Sequence, residues 1–181
     1  MAEDKATLRR RMRAWRSSVS ATQLGDWSTR IQANIIGLPE WREARVVMLF
    51  NSLPQEVQLP GLPIGGKRVV WPAVEGMGKP LVLREGDCDT TGPRGILQPG
   101  PDAPIVAPQD IDVVIVPALA LTLEGARLGY GGGFYDRTLA RMGAVRVAVA
   151  FDEQIVDTVP TEDHDVVVDW IITQSRRQRA L

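Results

Sequence analysis

The stretch from Gly125 to Arg137 crowds glycine, arginine, tyrosine and aspartate into one short segment, reading Gly-Ala-Arg-Leu-Gly-Tyr-Gly-Gly-Gly-Phe-Tyr-Asp-Arg. Glycines let backbone N–H groups approach an anion closely and turn through positive φ, and guanidinium groups add charge-assisted hydrogen bonds. The chemistry this mixture suits is the holding of a nucleotide's phosphates. Arg127 and Arg137 supply cations, and Asp136 supplies a hard oxygen ligand of the kind magnesium takes. The spacing excludes two common cradles. A dinucleotide fingerprint counted from Gly129 and Gly131 needs glycine where Phe134 stands, and no Gly-Lys-Ser/Thr follows for a P-loop. A glycine cluster alone is equally compatible with a flexible surface loop, but Arg127, Tyr135 and Asp136 at its edges favour the functional reading.

A second set of cations lies near the N-terminus, where Lys5, Arg9, Arg13 and Arg16 recur at four, four and three residues. On a helix that spacing lines them along one face, from which some can reach a phosphate; the plainer alternative is a solvated basic face. His164 is the sole histidine and Cys88 the sole cysteine. Histidine-rich zinc sites and internal disulfides are therefore excluded.

These residues need a scaffold. Residues 4–19 place Leu8, Met12, Trp15 and Val19 at helical spacing, and Ser20 reads as the N-cap of a second helix ending near Ile36, before Gly37 and Pro39. Short apolar runs follow at Val46–Phe50, Val69–Trp71, Leu81–Leu83, Val113–Val116, Val145–Phe151 and Val166–Ile172. Being continuous rather than alternating, they read as strands covered on both faces. The expectation is an α/β fold of three layers, a mostly parallel central sheet with helices on both faces. The Gly- and Pro-rich connection from Glu75 to Asp112 allows an antiparallel excursion, and 92–108 reads as an ordered loop near a site. Val113–Val116 then delivers the chain to the glycine segment. A helix over Phe134–Met142 would turn its positive end toward bound phosphates. Arg176, Arg177 and Arg179 read as a frayed tail.

With 181 residues, 44% hydrophobic and 24% charged, the chain fits one globular domain over 1–181. A net charge of −1 provides no global field for nucleic acid or an anionic membrane. RNA binding through the basic first helix is a weak alternative, because no aromatic recognition motif accompanies the arginines. The chain shows neither a signal peptide's apolar core nor a membrane-spanning run. A cytoplasmic monomer with no nucleic-acid or membrane partner is expected.

Several separated segments, in order, resemble the 5-formyltetrahydrofolate cyclo-ligase family, also called 5,10-methenyltetrahydrofolate synthetase. They are Lys5-Ala6-Thr7-Leu8-Arg9, Leu53-Pro54-Gln55-Glu56-Val57, Gly92 through Pro99, Gly125 through Arg137, and His164-Asp165 with Val168-Asp169 and Ile171-Ile172-Thr173. The resemblance implies ATP- and magnesium-dependent closure of 5-formyltetrahydrofolate to 5,10-methenyltetrahydrofolate, releasing ADP and phosphate. It assigns Lys5 and Arg9 to ATP phosphates. Arg127, Leu128, Gly129, Tyr130, Gly131, Gly132, Gly133, Phe134 and Tyr135 become the principal ATP loop. Asp136 and Asp165 become magnesium ligands, with a turn or cap aspartate as the alternative for Asp165. Asn51, Glu56 and Tyr135 become folate-lining residues, with Arg127 and Tyr135 as the catalytic pair; Glu56 reads otherwise as a loop glutamate and Tyr135 as core packing. His164 would orient Asp165. Two positions depart from the family pattern: Leu121-Thr122 stands where members often carry Phe-Asp, and Gln98-Pro99 where they carry Glu-Pro. Those departures motivate a second reading, a non-catalytic folate- or nucleotide-binding paralogue.

Overall fold

The structure, a computed structural model, describes residues 3–181. Two long helices open the chain, α1 (Lys5–Ser18) and α2 (Ala21–Ile36), each with a side-chain cap: Asp4 accepts from the Thr7 N–H and Ser20 from the Gln23 N–H. A short α3 (Pro39–Glu43) leads into β1 (Val46–Met48), β2 (Arg68–Ala73) and β3 (Val82–Glu85). Two small strands, β4 (Thr90–Thr91) and β5 (Leu97–Gln98), form a hairpin, and β6 (Val113–Pro117) returns to the sheet. A second hairpin, β7 (Ala120–Leu121) and β8 (Arg127–Leu128), precedes α4 (Phe134–Leu139). The chain closes with β9 (Val145–Val149), β10 (Trp170–Ile172) and β11 (Arg177–Arg179).

The main sheet has seven strands in the order β11-β10-β9-β6-β1-β2-β3. Its interior pairs are parallel, while β3 on β2 and β11 on β10 run antiparallel at the two edges. Alternate residues of each strand serve opposite faces. Val47, Val113, Ile115, Val147, Val149 and Ile172 pack with Ile31 and Ile35 of α2 and Trp41 of α3. Val46, Met48, Val70, Val114 and Val116 pack on the other side with Leu139 of α4 and with Met142. This double coverage is why the strands are apolar without alternation, and it agrees with the expected three layers. α1 sets Leu8 and Met12 against Leu119, Ala120 and Leu128, so it crosses the β7–β8 hairpin. β1 has β2 on one side and β6 on the other. The strand order therefore reverses between β1 and β6, and in such sheets the crevice outside the carboxyl ends at that point is where ligands bind.

Three expectations need correction. The C-terminal arginines are not a frayed tail: Trp170 pairs with Arg179, Ile171 with Gln178 and Ile172 with Arg177. The Arg179 guanidinium lies 4.9 Å from the centre of the Trp170 ring and 2.6 Å from a Glu40 oxygen. The exposed N–H and C=O row of β10 is a template for pairing, and Glu40 and Trp170 give the cation neighbours that a local reading of the tail cannot see. α4 ends at Leu139 rather than Met142, because Arg141 and Met142 donate to Thr138 and Leu139, a tighter i to i−3 closure. The last long strand is confined to Trp170–Ile172, since the Val168 N–H instead donates to the Gly125 carbonyl, and the Val168 carbonyl lies where a Gly125 side chain would have to go.

Deleting residues 176–181 is expected to destabilise the fold by about 1–3 kcal/mol, a few degrees in thermal midpoint for a domain of this size. Thermal unfolding of the full and shortened chains checks this; an unchanged midpoint would restore the frayed-tail reading.

Candidate active site

Five elements deliver side chains to one cleft of about 740 Å³. α1 brings Lys5 and Arg9, the segment after β1 brings Phe50, Asn51 and Glu56, the β4–β5 hairpin brings Arg94 and Gln98, the glycine segment brings Arg127 through Asp136, and the segment before β10 brings Glu162 and Asp165. Every residue that the family resemblance assigns to the site lines this cleft; Arg137, read as a second cation of the glycine segment, does not, and its guanidinium donates to the Gly132 carbonyl.

One end is built for anions and cations together. Arg127 is buried, its side chain 3% exposed, and its guanidinium reaches Asp136 Oδ1 at 2.9 Å. The same carboxylate oxygen accepts from the Val166 N–H at 3.3 Å. Across the cleft, Lys5 Nζ stands 2.7 Å from Asp165 Oδ2 and 3.0 Å from Glu162. Burial opposes ionisation of Asp165, but the bonds from Lys5 and from the Glu162 N–H win and hold its carboxyl below the ordinary range. Burial likewise opposes the Lys5 charge, and its two carboxylate partners overcome it and raise its pKa. Asp165 also caps its own turn, through Glu162 N–H at 2.8 Å. His164 is largely exposed and 3.8 Å from Asp165. Arg9 Nε donates to the Gly129 carbonyl at 2.9 Å, so it braces the glycine loop rather than standing free.

Hydrogen bonds to Asp136 fall on Oδ1 and those to Asp165 on Oδ2, which leaves the second oxygen of each for a cation. No cluster of three or more His, Cys, Asp or Glu that could hold a metal occurs among the described residues. Two carboxylates suit magnesium only with water and substrate phosphates completing the octahedron. The site therefore fits an ion that arrives with a nucleotide.

The other end is centred on Glu56, 5% exposed. Its Oε2 accepts from the Leu53 N–H at 2.7 Å, and its Oε1 accepts a short hydrogen bond from the Tyr130 hydroxyl. Arg16 Nη2 donates to that hydroxyl at 2.6 Å. Burial raises the Glu56 pKa, against the pull of Tyr130, the Leu53 N–H and the charges of Arg16 and Arg94. Burial also raises the pKa of Tyr130, then the Glu56 charge, with Arg16 opposing. Tyr135 lies with its ring centre 5.7 Å from the Arg127 guanidinium; burial and the Glu56 charge push its hydroxyl up, against Arg127. Tyr135 is thus a hydrogen-bond donor at neutral pH and not a base. Asn51 donates to the Leu97 carbonyl at 2.8 Å, fastening the β4–β5 hairpin to the end of β1.

Sequence reasoning left three of these residues out of the site. Arg16 shares the helical phase of Lys5 and Arg9, which was the available signal. Arg94 lies in the Gly92–Pro99 segment and in the loop read as near a site, which was its signal, whereas Glu162 carried none. The two departures from the family pattern turn out to hold structure. The Thr122 hydroxyl accepts from the Ala126 N–H at 3.3 Å, in the turn between β7 and β8, and Thr122 does not line the cleft. Gln98 accepts from the Val74 N–H at 3.0 Å, the acceptor role a glutamate would also fill.

A cleft at the switch point of a doubly covered parallel sheet, with ion pairs at one end and a buried carboxylate at the other, has the architecture of an α/β enzyme. A family model described as the 5-formyltetrahydrofolate cyclo-ligase family matches residues 1–174. The 5-formyltetrahydrofolate cyclo-ligase of Mycolicibacterium smegmatis is 38% identical over 120 residues, spanning 61% of this chain and 62% of that protein. The Haemophilus influenzae 5-formyltetrahydrofolate cyclo-ligase is 28% identical over 176 residues, spanning 91% of this chain and 94% of that one. The solution structure of Aquifex aeolicus 5,10-methenyltetrahydrofolate synthetase superposes with a TM-score of 0.86 at 31% identity, over 97% of this chain and 92% of that one. The chain belongs to the 5-formyltetrahydrofolate cyclo-ligase family, enzymes that convert 5-formyltetrahydrofolate to 5,10-methenyltetrahydrofolate.

Arg127→Met is expected to cost about 3–5 kcal/mol in urea unfolding, because it strands Asp136 in a largely buried place. Arg127→Met with Asp136→Leu should recover most of that loss. A single-variant cost under about 1 kcal/mol would show the pair to be solvent-screened.

Proposed function

We propose that this chain closes 5-formyltetrahydrofolate to 5,10-methenyltetrahydrofolate at the expense of ATP, by phosphoryl activation of the formyl oxygen. The observation that carries the reading is the single cleft shared by Lys5, Arg127, Asp136 and Asp165 at one end and by Asn51, Glu56 and Tyr135 at the other.

A formamide oxygen is a poor leaving group. Its attack on the γ-phosphorus releases ADP and makes an iminophosphate, a far better electrophile. Folate N10 then adds to the formyl carbon, gives up its proton, and phosphate departs with the C–O bond as the amidinium product forms. Because N10 and the activated carbon belong to one molecule, ring closure is intramolecular and needs only orientation.

Phosphoryl transfer is governed by positioning and charge neutralisation. The backbone of Leu128 through Phe134 is the surface for the phosphates, braced from behind by Arg9 at Gly129. Lys5 has two carboxylate partners within reach and can trade one for a phosphate oxygen. Magnesium bound with the nucleotide would screen charge between its phosphates, held by the open oxygens of Asp136 and Asp165. Arg127 acts largely by fixing Asp136 and the floor under Tyr135, whose protonated hydroxyl can donate to the reacting oxygen. Glu56 accepts from pterin N–H donors, and Asn51 keeps the overlying hairpin in place. Thr122 lies outside the cleft and bonds within its own turn, so the non-catalytic alternative rests on Gln98 alone, which lines the cleft without a carboxylate's charge but keeps the acceptor role toward the Val74 N–H. A cytoplasmic monomer remains the proposed setting; no helix among the described residues is long and apolar enough to cross a membrane.

Purified protein given ATP, magnesium and 5-formyltetrahydrofolate is expected to generate the methenyl chromophore in step with ADP. Asp136→Asn should lower turnover by about two orders of magnitude, the scale of a lost electrostatic contact in a transition state; because it also leaves the buried Arg127 guanidinium without its counter-charge, its unfolding midpoint should fall, and turnover is compared at a temperature where the variant is folded. Folded protein that binds both ligands without forming product would support the non-catalytic reading.

A further inference from the structure

Tyr130 belongs to both ends of the cleft. Its backbone lies between Gly129 and Gly131 in the glycine loop, and the carbonyl just before it is gripped by Arg9. Its hydroxyl leaves the loop and donates to Glu56, the carboxylate at the other end. Arg16, 4% exposed, donates to the same hydroxyl and has no partner for its buried Nε among the described residues. The ring is enclosed by guanidinium groups, with Arg94, Arg16 and Arg13 centred 5.1, 5.5 and 5.8 Å from its centroid. Its apolar edge rests against the cluster formed by Leu8, Met12 and Leu128. The side chain is thus confined, and the backbone turns beside it at Gly131, whose φ of 100° glycine adopts without cost.

We infer that Tyr130 couples the two substrate subsites, so that a nucleotide ordering the glycine loop also fixes Glu56 for folate. This rests on the functional reading above. The physical basis is shared ordering. A first ligand that immobilises the loop, and with it the hydroxyl on Glu56, spares the second ligand that cost, which is positive cooperativity without a large structural change. Linkage requires the effect to be reciprocal: nucleotide must tighten folate by the same factor as folate tightens nucleotide. Tyr130 is a positioning residue here, acting on folate through Glu56. The Arg16–Tyr130–Glu56 chain has its polarity fixed, because the guanidinium can only donate and the carboxylate can only accept when ionised.

Calorimetric titration of 5-formyltetrahydrofolate, with and without a non-hydrolysable ATP analogue plus magnesium, measures the coupling. The reverse titration tests reciprocity. The wild type is expected to show a gain of about fivefold or more, equal in both directions. Tyr130→Phe keeps the ring among the arginines and removes only the hydroxyl; it should bind both ligands with the gain reduced to near one. A wild-type gain near one, or a full gain retained in Tyr130→Phe, overturns the inference. Failure of the wild type to bind folate under either condition overturns the functional reading itself. A second measurement does not depend on the variant folding. The chain has only two tyrosines, so ring-labelled tyrosine gives two NMR signals, one from Tyr130 and one from Tyr135. The Tyr130 signal, recognised by its response to Arg16→Lys, should shift on adding the nucleotide analogue alone and again on adding folate. A Tyr130 signal unmoved by nucleotide contradicts the coupling.

Discussion

The ion pair between Arg127 and Asp136 is the constraint on which the site depends. It spans the glycine segment from its first strand to the first turn of α4, so the residues between, Leu128 to Tyr135, form a loop with both ends tied at 2.9 Å. The same carboxylate takes the Val166 N–H, and the guanidinium lies near the Pro117 carbonyl at the end of β6. A flexible glycine-rich stretch thereby acquires a fixed base, sheltered from water. Glycines can then be used for close approach without leaving the loop disordered. A buried pair of this kind adds little net stability over an apolar replacement, but breaking it costs several kcal/mol. Its contribution is to specify one arrangement.

Around that base, charge is balanced pair by pair. Lys5 stands between Asp165 and Glu162, one cation to two carboxylates, Arg127 neutralises Asp136, and Arg16 and Arg94 stand near Glu56. The cleft therefore presents few uncompensated charges before ligands arrive. In the proposed reaction ATP would enter by exchange, its phosphate oxygens replacing a carboxylate on Lys5, while a divalent ion would take the open oxygens of Asp136 and Asp165. Exchange of this kind limits the desolvation penalty that a bare buried charge would impose. The Glu56 end follows a different logic. Glu56 is kept ionisable by two hydrogen bonds and a nearby cation although burial disfavours its charge.

Much of this was legible in the sequence because local patterns and tertiary role agreed. The strands Val46–Met48 and Val113–Pro117 are apolar at every position, which a doubly covered sheet requires. Ser20 caps α2, as its place ahead of the second apolar pattern predicts. The glycine segment and the cations of α1 were recognised as facing the same site. What sequence could not supply was partner identity. Arg9 was assigned to a phosphate, and the structure sets it on the Gly129 carbonyl. Tyr130 was assigned to the nucleotide, and its hydroxyl points to Glu56, 74 positions away. The arginines near the C-terminus read as a tail because Glu40 and Trp170, their partners, are distant in sequence. Each of these depends on which surfaces the sheet topology brings together, and no local window contains that.

The central claim is that the shared cleft sets the γ-phosphate of ATP against the formyl oxygen of the folate. Substrate labelled with ¹⁸O in the formyl group tests it directly. Mass spectrometry of the released phosphate should find one labelled oxygen for each turnover, since that oxygen bridges carbon and phosphorus before the C–O bond breaks. Unlabelled phosphate accompanying product formation would contradict the account.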